Sequence, residues 1–434
     1  MDATPVVTVF LRHRGEVLLF RRSDAVDSYP GRWGAVAGHV EHDDPLASAR
    51  AEIEEETGLS ERDVTLVREG PSFSVDDAQT GHHWEVHPFL FDADSRDIQT
   101  NWETAETEWA SPTVLLRRET VPDLWTSYRR VAPSIVALTD DSSHGSSYLS
   151  LRALEVLRDR AGRLAATAPD DIENARSRLL QTAGRLLNAR PSMAALANRL
   201  HRVMHATQPD FAPAAVEQAA HDAIGRALES DDTAARHAAE QVAGKQVLTL
   251  SRSGTVLRAL QQADPAPAVV VAESHPGREG VDVAETLHEA GLDVTLIPDT
   301  AVASTLSHGI VDAVLIGADT VRPSGAVVNK VGSRGMALAA RHEGVPVYAA
   351  CAADKITLSE DTDLESVPFQ AIYEGPADFR VEAPRFDITP PSHLDGLITD
   401  RGVLAPDALA DIVDELAALR DWMDAEADGA PSQA

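Results

Sequence analysis

The feature that most constrains the fold is a repeated alternation of short apolar segments with helix-length segments in the C-terminal half of the chain. The apolar segments begin after residue 245 and read, in order, VLTL, AVVVA, DVTLI, AVLIG and PVYAA. Short buried strands separated by helices are typical of a parallel sheet with crossover connections. The sequence therefore predicts an α/β protein whose residues 244–425 form a Rossmann-like parallel-sheet domain.

The segment before this sheet has a different periodicity. Over 148–243 the apolar residues recur at helical spacing, and Pro191 and Pro209 separate successive helices. A polar stretch at 139–147 precedes these helices and has the composition of a linker. We therefore expect a linker, a helical subdomain over 148–243, and a disordered polar tail at 426–434.

Residues 1–138 have the pattern of a second α/β domain. An acidic helix is predicted over 45–57, and it ends at Gly58 because glycine readily adopts the left-handed conformation that terminates helices. The predicted strands alternate apolar and polar residues. They comprise two strands within 3–20 around the turn Arg14-Gly15, and further segments at 33–40, 63–68, 83–92 and 107–109.

The chain is acidic along its whole length. Lys and Arg total 38 against 69 Asp and Glu, which gives a net charge of −31, and only three of the basic residues are lysines. A dispersed acidic surface with few lysines favours a protein from a salt-accumulating halophile, with an acidic mesophilic protein as the alternative. The charge argues against direct nucleic-acid binding, because that binding uses a basic face.

The composition also bears on the cellular compartment. No apolar run is long enough to span a membrane, and the N-terminus lacks the basic and apolar regions of a secretory signal. Cys351 is the only cysteine, so an intrachain disulfide is excluded. We predict a cytoplasmic protein with no membrane partner.

A cluster of carboxylates marks the predicted acidic helix. Glu52, Glu55 and Glu56 are spaced i, i+3 and i+4, so their side chains share one helical face. Their mutual repulsion destabilises the helix unless a hard cation such as Mg²⁺ (or Mn²⁺) binds there, where it can activate water for attack on a phosphoryl group. The alternative is a solvated acidic face.

The surroundings of this cluster resemble the Nudix hydrolase family. Residues 52–59 match the second half of the Nudix box, and 18–22, 30–33 and 103–109 resemble its flanking segments. The resemblance covers about residues 4–130. It implies an α/β/α sandwich that hydrolyses a nucleoside diphosphate linked to another moiety, with Glu52, Glu55 and Glu56 as catalytic residues and metal ligands.

Two departures from the Nudix pattern stand out. Ala51 occupies the position of an arginine that orients the glutamates, and the spacing from Gly38 to Glu52 is one residue short. We therefore expect Asp43 or Asp44 to replace the first glutamate of the box. In the downstream loop, Glu103 or Glu106 either adds a ligand or base, or is a solvated acid.

A second candidate site follows the apolar segment AVLIG. Asp319 comes directly after this predicted strand, and Asn329 and Lys330 lie shortly beyond it. Open parallel sheets bind ligands at the carboxyl ends of their strands, where Asn329 and Lys330 can donate to a phosphate. Two of the three lysines, Lys330 and Lys355, fall at such positions. The alternative is that these are surface lysines.

This half resembles the family that joins the regulatory subunits of initiation factor 2B with methylthioribose-1-phosphate and ribose-1,5-bisphosphate isomerases. The matching segments include the residues after the predicted strand AVLIG, together with 248–256, 273–280 and 386–390. The resemblance covers about 148–420. It implies a homodimer that binds a sugar phosphate or a nucleotide.

The isomerases of that family pair a cysteine with the aspartate that matches Asp319. Ser251 stands at the cysteine position, and a serine hydroxyl is a much weaker acid than a thiol. Arg252, Ser253 and Gly254 still suit a phosphate. We therefore predict a Nudix pyrophosphohydrolase fused to a non-catalytic ligand-binding regulatory domain. The alternatives are a pentose-phosphate isomerase and a non-catalytic, translation-linked binding protein.

Overall fold

The computed structural model describes residues 3–26, 28–77, 81–141, 143–167 and 171–423. The predicted tail 426–434 lies outside these ranges. The strands within them are β1 (Thr4–His13), β2 (Glu16–Arg22), β3 (Trp33–Gly34), β4 (Val36–His39), β5 (Val64–Glu69), β6 (Phe73–Asp77), β7 (His82–Ala93), β8 (Thr104–Ala110), β9 (Gln246–Leu250), β10 (Ala268–Ala272), β11 (Val294–Ile297), β12 (Ala313–Gly317), β13 (Thr320–Val321), β14 (Val327–Lys330), β15 (Val347–Ala350), β16 (Phe386–Thr389), β17 (Gly396–Thr399) and β18 (Gly402–Leu404). The α-helices are α1 (Pro45–Thr57), α2 (Leu124–Val131), α3 (Ile135–Asp140), α4 (Ser146–Thr167), α5 (Ile172–Ala189), α6 (Ala194–Thr207), α7 (Pro213–Val242), α8 (Gly254–Gln262), α9 (Glu279–Glu289), α10 (Val302–Ser307), α11 (Ser333–Glu343) and α12 (Ala410–Ala418).

The chain divides into two compact units, and the predicted helical region contributes to both. Unit 1 comprises Met1–Leu138, Arg152–Thr182 and Asp210–Ile224, and unit 2 comprises Thr139–Leu151, Ala183–Pro209 and Gly225–Ala434. The helices α4, α5 and α7 therefore each supply residues to both units. The domain boundaries given above stay a prediction.

Unit 1 is built on an eight-stranded mixed sheet. The strand order is β3-β2-β1-β7-β5, with β4 paired to β1, β6 to β7 and β8 to β2. Side chains alternate along β1, so Val7 and Val9 pack with Ile53 of α1 on one face, and Phe10 packs with Tyr128 of α2 on the other. Helices on both faces of the sheet confirm the predicted α/β/α sandwich.

Helix α1 has the bounds that the sequence predicts. Asp44 caps its N-terminus by accepting from the Ala47 amide at 3.0 Å, and Pro45 occupies the first turn. At the other end Gly58 has φ +71°, in the left-handed region that favours glycine. Local signals therefore set both ends of the helix that carries the carboxylates.

A buried charged network belongs to unit 1. The Arg12 side chain, only 3% exposed, forms ion pairs with Asp92 at 2.6 Å and with Glu155 of α4 at 3.2 Å. Nearby, Arg158 donates to the Gly15 carbonyl. Buried charges of this kind are tolerated only when they are paired, so these contacts fix the α4 segment within unit 1.

Unit 2 contains the parallel sheet that the sequence predicts. Its strand order is β11-β10-β9-β12-β15-β17-β18, and all neighbours are parallel except β17 and β18. The chain runs outward from β9 to β11 and then returns to place β12 on the other side of β9. The carboxyl ends of β9 and β12 therefore flank a topological switch point, where ligands bind in sheets of this kind.

A small antiparallel sheet adjoins this region of unit 2. It has the order β13-β14-β16, with Lys330 of β14 opposite Phe386 of β16. Asn329 and Lys330 therefore lie on a strand that the parallel sheet does not include. Within the described part of the chain, every helix is too short or too polar to cross a membrane.

Candidate functional sites

The acidic face of α1 lies against strand β4 of unit 1. The Ala37 amide of β4 donates to Glu56 Oε1 at 3.2 Å. A Cβ atom built on Gly38 would overlap the Glu52 side chain, so glycine is needed there for the helix to approach the strand. Glu56 is buried, Glu52 is partly buried and Glu55 is exposed. The structure therefore brings two of the three predicted carboxylates onto the same strand.

These carboxylates are held in surroundings that disfavour their charge. Burial, helped by the charges of Glu52 and Glu103, raises the pKa of Glu56 to about 8 against the opposing effects of the Ala37 amide and Arg22. Burial also raises the pKa of Glu52 to about 7, with further contributions from Glu55, Glu103 and Glu41. The surroundings therefore disfavour the charged forms of Glu52 and Glu56, first because the side chains are buried and second because other acids lie nearby.

The sequence analysis did not include two residues that act on the cluster, Glu41 and Arg22. Asp44 caps α1, whereas Glu41 is the acid of the preceding loop that raises the pKa of Glu52. Arg22 of β2 is the cation that acts on Glu56, and the only sequence signal for this role is the missing arginine at position 51. Arg22 lies 34 positions from Glu56 in the chain, so only the fold brings them together.

The downstream loop acids are also distinguished by their contacts. Glu106 is exposed and forms an ion pair with Arg21 at 3.0 Å. The charge of Glu103 raises the pKa of both Glu52 and Glu56. Glu103 is therefore the loop acid whose charge acts on the helix carboxylates.

The donor set suits a hard cation, although its geometry is not that of an assembled metal site. Across residues 3–423, leaving aside the positions the structure does not describe, no group of three or more His, Cys, Asp or Glu side chains is arranged to hold a metal ion. Carboxylates whose pKa values are raised by burial and by one another are nevertheless the chemistry that Mg²⁺ or Mn²⁺ relieves. The cation stays a prediction.

In unit 2 the predicted ligand-binding residues meet at the switch point. A Cβ atom built on Gly317, at the end of β12, would lie 2.6 Å from Ser253 Cβ and 3.7 Å from Asn329 Oδ1. Ser253 follows β9 and caps α8 by accepting from the Val256 amide at 3.4 Å. The loops after β9 and β12 are therefore close to each other and to β14.

Asp319 lies in this site beside a buried ammonium group. Burial raises the pKa of the Asp319 carboxyl, and the charge of Lys355 opposes that shift. The Lys355 Nζ atom donates to the Ala318 carbonyl at 2.7 Å. Helix α6 holds this loop, because the Asn198 amide donates to the carbonyls of Asp354 and Ile356, both at 2.8 Å. Lys355 is therefore not a surface lysine.

The two predicted phosphate-binding cations already have acidic partners. The Lys330 Nζ atom donates to Glu279 Oε1 at 2.7 Å, and the Lys330 side chain is 6% exposed. On the exposed side, Arg252 lies 3.8 Å from Asp282. Both acids are in the first turn of α9. Sequence reasoning missed them, because nothing local links α9 to residues on β14 or after β9.

The positions that bear on catalysis have contrasting environments. Ser251, at the position of the family's cysteine, has φ +63°, and its amide donates to Ser274 Oγ at 2.7 Å. Cys351 follows β15 and is fully buried, and burial raises the pKa of its thiol to about 12. Cys351 therefore does not supply a thiolate in place of Ser251.

Together these features define a two-part α/β protein, in which one unit has a carboxylate site on a sandwich and the other has an anion-suited site at a sheet switch point. The comparison with protein families agrees with this division. Residues 142–406 match the Initiation factor 2 subunit family (IF-2B), and residues 2–131 match the NUDIX domain. The chain belongs to the Initiation factor 2 subunit family and carries a NUDIX domain, so both predicted resemblances are confirmed.

Several known proteins are similar to the chain. The ribose 1,5-bisphosphate isomerase of Haloferax volcanii is 33% identical over 276 residues, which cover 59% of this chain and 84% of that protein. The methylthioribose-1-phosphate isomerase of Gemmatimonas aurantiaca is 35% identical over 257 residues, covering 54% and 73%. The crystal structure of a Pyrococcus horikoshii translation initiation factor eIF-2B matches with a TM-score of 0.56 and 25% identity, covering 64% of this chain and 97% of that one.

These similarities settle function at a coarse level. The NUDIX domain supports a pyrophosphatase, and the IF-2B domain is close to sugar-phosphate isomerases. Because those relatives are enzymes, the comparisons do not support the prediction that the C-terminal half is non-catalytic.

Proposed function

We propose that the NUDIX domain hydrolyses the pyrophosphate bond of a nucleoside diphosphate linked to another moiety. The observation that carries this proposal is the placement of Glu52 and Glu56 together against strand β4, where burial and neighbouring acids raise their pKa values to about 7 and about 8. We propose that Glu52, Glu55 and Glu56 bind Mg²⁺ or Mn²⁺. When bound, such a cation polarises a phosphoryl oxygen and activates water.

The residues around the proposed cation site have different roles. The Ala37 amide orients Glu56 by donating to its carboxylate, and contact with Gly38 fixes Glu52. Arg22 lies close enough to lower the pKa of Glu56, so it favours the charged form that binds a cation. We propose that Glu103 accepts the proton of the attacking water, because its charge acts on the cluster whereas Glu106 is paired with Arg21.

A screen of phosphate or nucleotide release tests this function. Wild-type protein is assayed in high salt with a panel of nucleoside diphosphate derivatives, with Mg²⁺, with Mn²⁺ and with a chelator. We expect turnover of at least one compound that the chelator abolishes. Turnover that is insensitive to the chelator would contradict the metal-dependent mechanism.

We propose that the IF-2B domain binds a sugar phosphate or a related nucleotide at its switch point. One phosphate is held by the loop of Arg252, Ser253 and Gly254, whose backbone amides begin α8, and Asn329 and Lys330 of β14 bind the remaining part of the ligand. The meeting of these elements at Gly317 supports the proposal. By analogy with the family we also propose that the protein is cytoplasmic and forms a homodimer. Analytical ultracentrifugation in high salt tests the oligomeric state.

Isomerisation of the bound sugar phosphate is the second candidate function. The observation in its favour is Asp319, because a carboxyl whose pKa is raised by burial beside Lys355 can hold and donate a proton. Ser251 at the cysteine position weighs against it. Two measurements on wild-type protein and on Asp319→Asn separate ligand binding from isomerisation. Calorimetry measures binding, and an NMR assay detects isomerised product. Binding without turnover supports a regulatory domain, and turnover that is lost in Asp319→Asn supports an isomerase.

A further inference from the structure

The cation that the second site offers to a phosphate is already neutralised from within the fold. Lys330 Nζ lies 2.7 Å from Glu279 Oε1, with 6% of the Lys330 side chain and 31% of the Glu279 side chain exposed. A charge-assisted contact at this distance is among the stronger hydrogen bonds in proteins. A phosphate that approaches Lys330 therefore meets an ion pair rather than a free ammonium group.

The sequence around Glu279 makes room for this pair. A Cβ atom built on Gly277 would lie 2.5 Å from Glu279 Oε1 and 2.6 Å from its carboxyl carbon, so the side chain folds back over a residue that has no Cβ. The other oxygen, Glu279 Oε2, is buried and makes no hydrogen bond with the described residues. The carboxylate charge of Glu279 is thus directed to Lys330 and to whatever ligand lies beside it.

The other predicted phosphate-binding cation, Arg252, is neutralised much less by its acidic partner. Asp282, in the same turn of α9, lies 3.8 Å from Arg252, and both side chains are largely solvent-exposed, at 64% and 46%. An exposed pair at that distance contributes little energy. The backbone amides at the start of α8, after Ser253, attract an anion through the helix dipole. One phosphate therefore has a favourable position at the start of α8. A second phosphate, near Lys330, has to compete with the Glu279 carboxylate.

We propose that Glu279 is a specificity-determining residue that makes the switch-point site select a sugar monophosphate over a sugar bisphosphate. This rests on the proposed binding of sugar phosphates by the IF-2B domain. A second phosphate near Lys330 lies beside the Glu279 carboxylate, and two anions at such a distance repel each other strongly when partly buried. The relatives described above include one isomerase named for a sugar bisphosphate and one named for a sugar monophosphate.

Calorimetric titration of the full chain in high salt tests the proposal. The probes are ribose 1-phosphate and ribose 1,5-bisphosphate, and the proteins are wild type, Glu279→Gln and a matched control, Glu285→Gln. Glu285 is exposed on the same helix, so its substitution removes the same charge away from Lys330. Glutamine retains the size of Glu279 and an oxygen that accepts from Lys330, so the fold is preserved.

We expect wild-type protein and Glu285→Gln to bind the monophosphate more tightly than the bisphosphate. In Glu279→Gln, affinity for the bisphosphate should rise roughly ten- to a hundredfold, as for a hydrogen bond to a charged group that no longer has a competitor, while the monophosphate changes little. Adding Lys330→Met to Glu279→Gln should remove the gain. This result would show that the gain acts through Lys330.

Other outcomes overturn the inference in distinguishable ways. An unchanged ratio of the two affinities in Glu279→Gln would mean that the carboxylate does not select the ligand. Weaker binding of both probes would mean that Glu279 positions the ligand instead of repelling it. If no protein bound either probe, the proposed binding function would fail together with the inference.

Discussion

Acidic side chains have opposite electrostatic surroundings in the two candidate sites. On α1 of unit 1, Glu52 and Glu56 lie near further acids, and their pKa values are raised to about 7 and about 8. None of Glu52, Glu55 and Glu56 forms a salt bridge with a residue that the structure describes. In unit 2, Glu279 faces Lys330 at 2.7 Å, and Lys355 opposes the raised pKa of Asp319.

This difference indicates what each site needs from solution. Carboxylates without a cationic partner gain from any cation that binds, so the proposed metal ion would stabilise the first site. Charges that are already paired gain little from an added ion, since the ligand must first replace a side chain. The first site is therefore expected to respond to metal, and the second to substitutions that release its cation.

The largest expected effect is on catalysis at the first site. Glu56→Gln should lower metal-dependent hydrolysis at least about 100-fold, or about 2.7 kcal/mol in the activation barrier, because a ligand to the cation is lost. The apo protein should melt at the same or a higher temperature, since the substitution relieves repulsion. Steady-state kinetics and apo-state melts measure both, with exposed Glu54→Gln as the control on the same helix. Near wild-type turnover in Glu56→Gln would show that α1 is not the metal site.

Removing a charge from the second site should lower the stability of the protein, whereas removing one from the first site should not. Lys330→Met leaves Glu279 without its partner and should destabilise unit 2 by about 1–3 kcal/mol, less than a fully buried pair because Glu279 is 31% exposed. Denaturant unfolding measures this loss. Adding Glu279→Gln should recover part of it, whereas equal stability of wild type and Lys330→Met would remove the contrast between the two sites.

The pH dependence of the metal-free protein sharpens the same contrast. Glu52 and Glu56 have pKa values raised from 4.5 to about 7 and about 8, so between about pH 4.5 and 8 the native state holds protons that the unfolded chain has released. Their contribution to stability is therefore fully present at low pH and is lost as the pH rises through the folded pKa values.

Mg²⁺ should reverse this loss, because it binds the deprotonated carboxylates and displaces their protons. Thermal melts from about pH 5 to 9, with and without Mg²⁺, measure the effect. A Glu52→Gln/Glu56→Gln double variant is the control and should show a shallower pH dependence. A profile identical to wild type in the double variant would contradict the raised pKa values.

The smallest effect per residue is expected from salt. With 69 acids against 38 bases, the chain should melt at a higher temperature as the Debye length falls from about 30 Å at 0.01 M to about 3 Å at 1 M. Salt screens the partly buried Lys330–Glu279 pair less than it screens surface charges. The loss of stability in Lys330→Met should therefore change little with salt. Equal melting temperatures for the wild-type protein across this range would remove the halophilic interpretation.

Much of the fold could be predicted because its signals are local. Pro45 and Gly58 set the ends of α1, and the apolar segments after 245 specify strands of the parallel sheet. Two features had no local signal. Part of α4 joins unit 1 through the buried pairing of Arg12 with Glu155, and β14 leaves the parallel sheet for an antiparallel one. Both depend on contacts between distant parts of the chain.

The sequence by itself determined which residues are available at each site. Spacing of i, i+3 and i+4 places Glu52, Glu55 and Glu56 on one face of any α-helix, and a loop after a parallel strand lies at the sheet's carboxyl edge. Only the tertiary structure decided which charges are compensated. Lys330 and Glu279 are 51 positions apart, and they meet because β14 and the start of α9 are brought to the same switch point. Electrostatic energy depends on distance and burial in space, and neither can be obtained from positions along the chain.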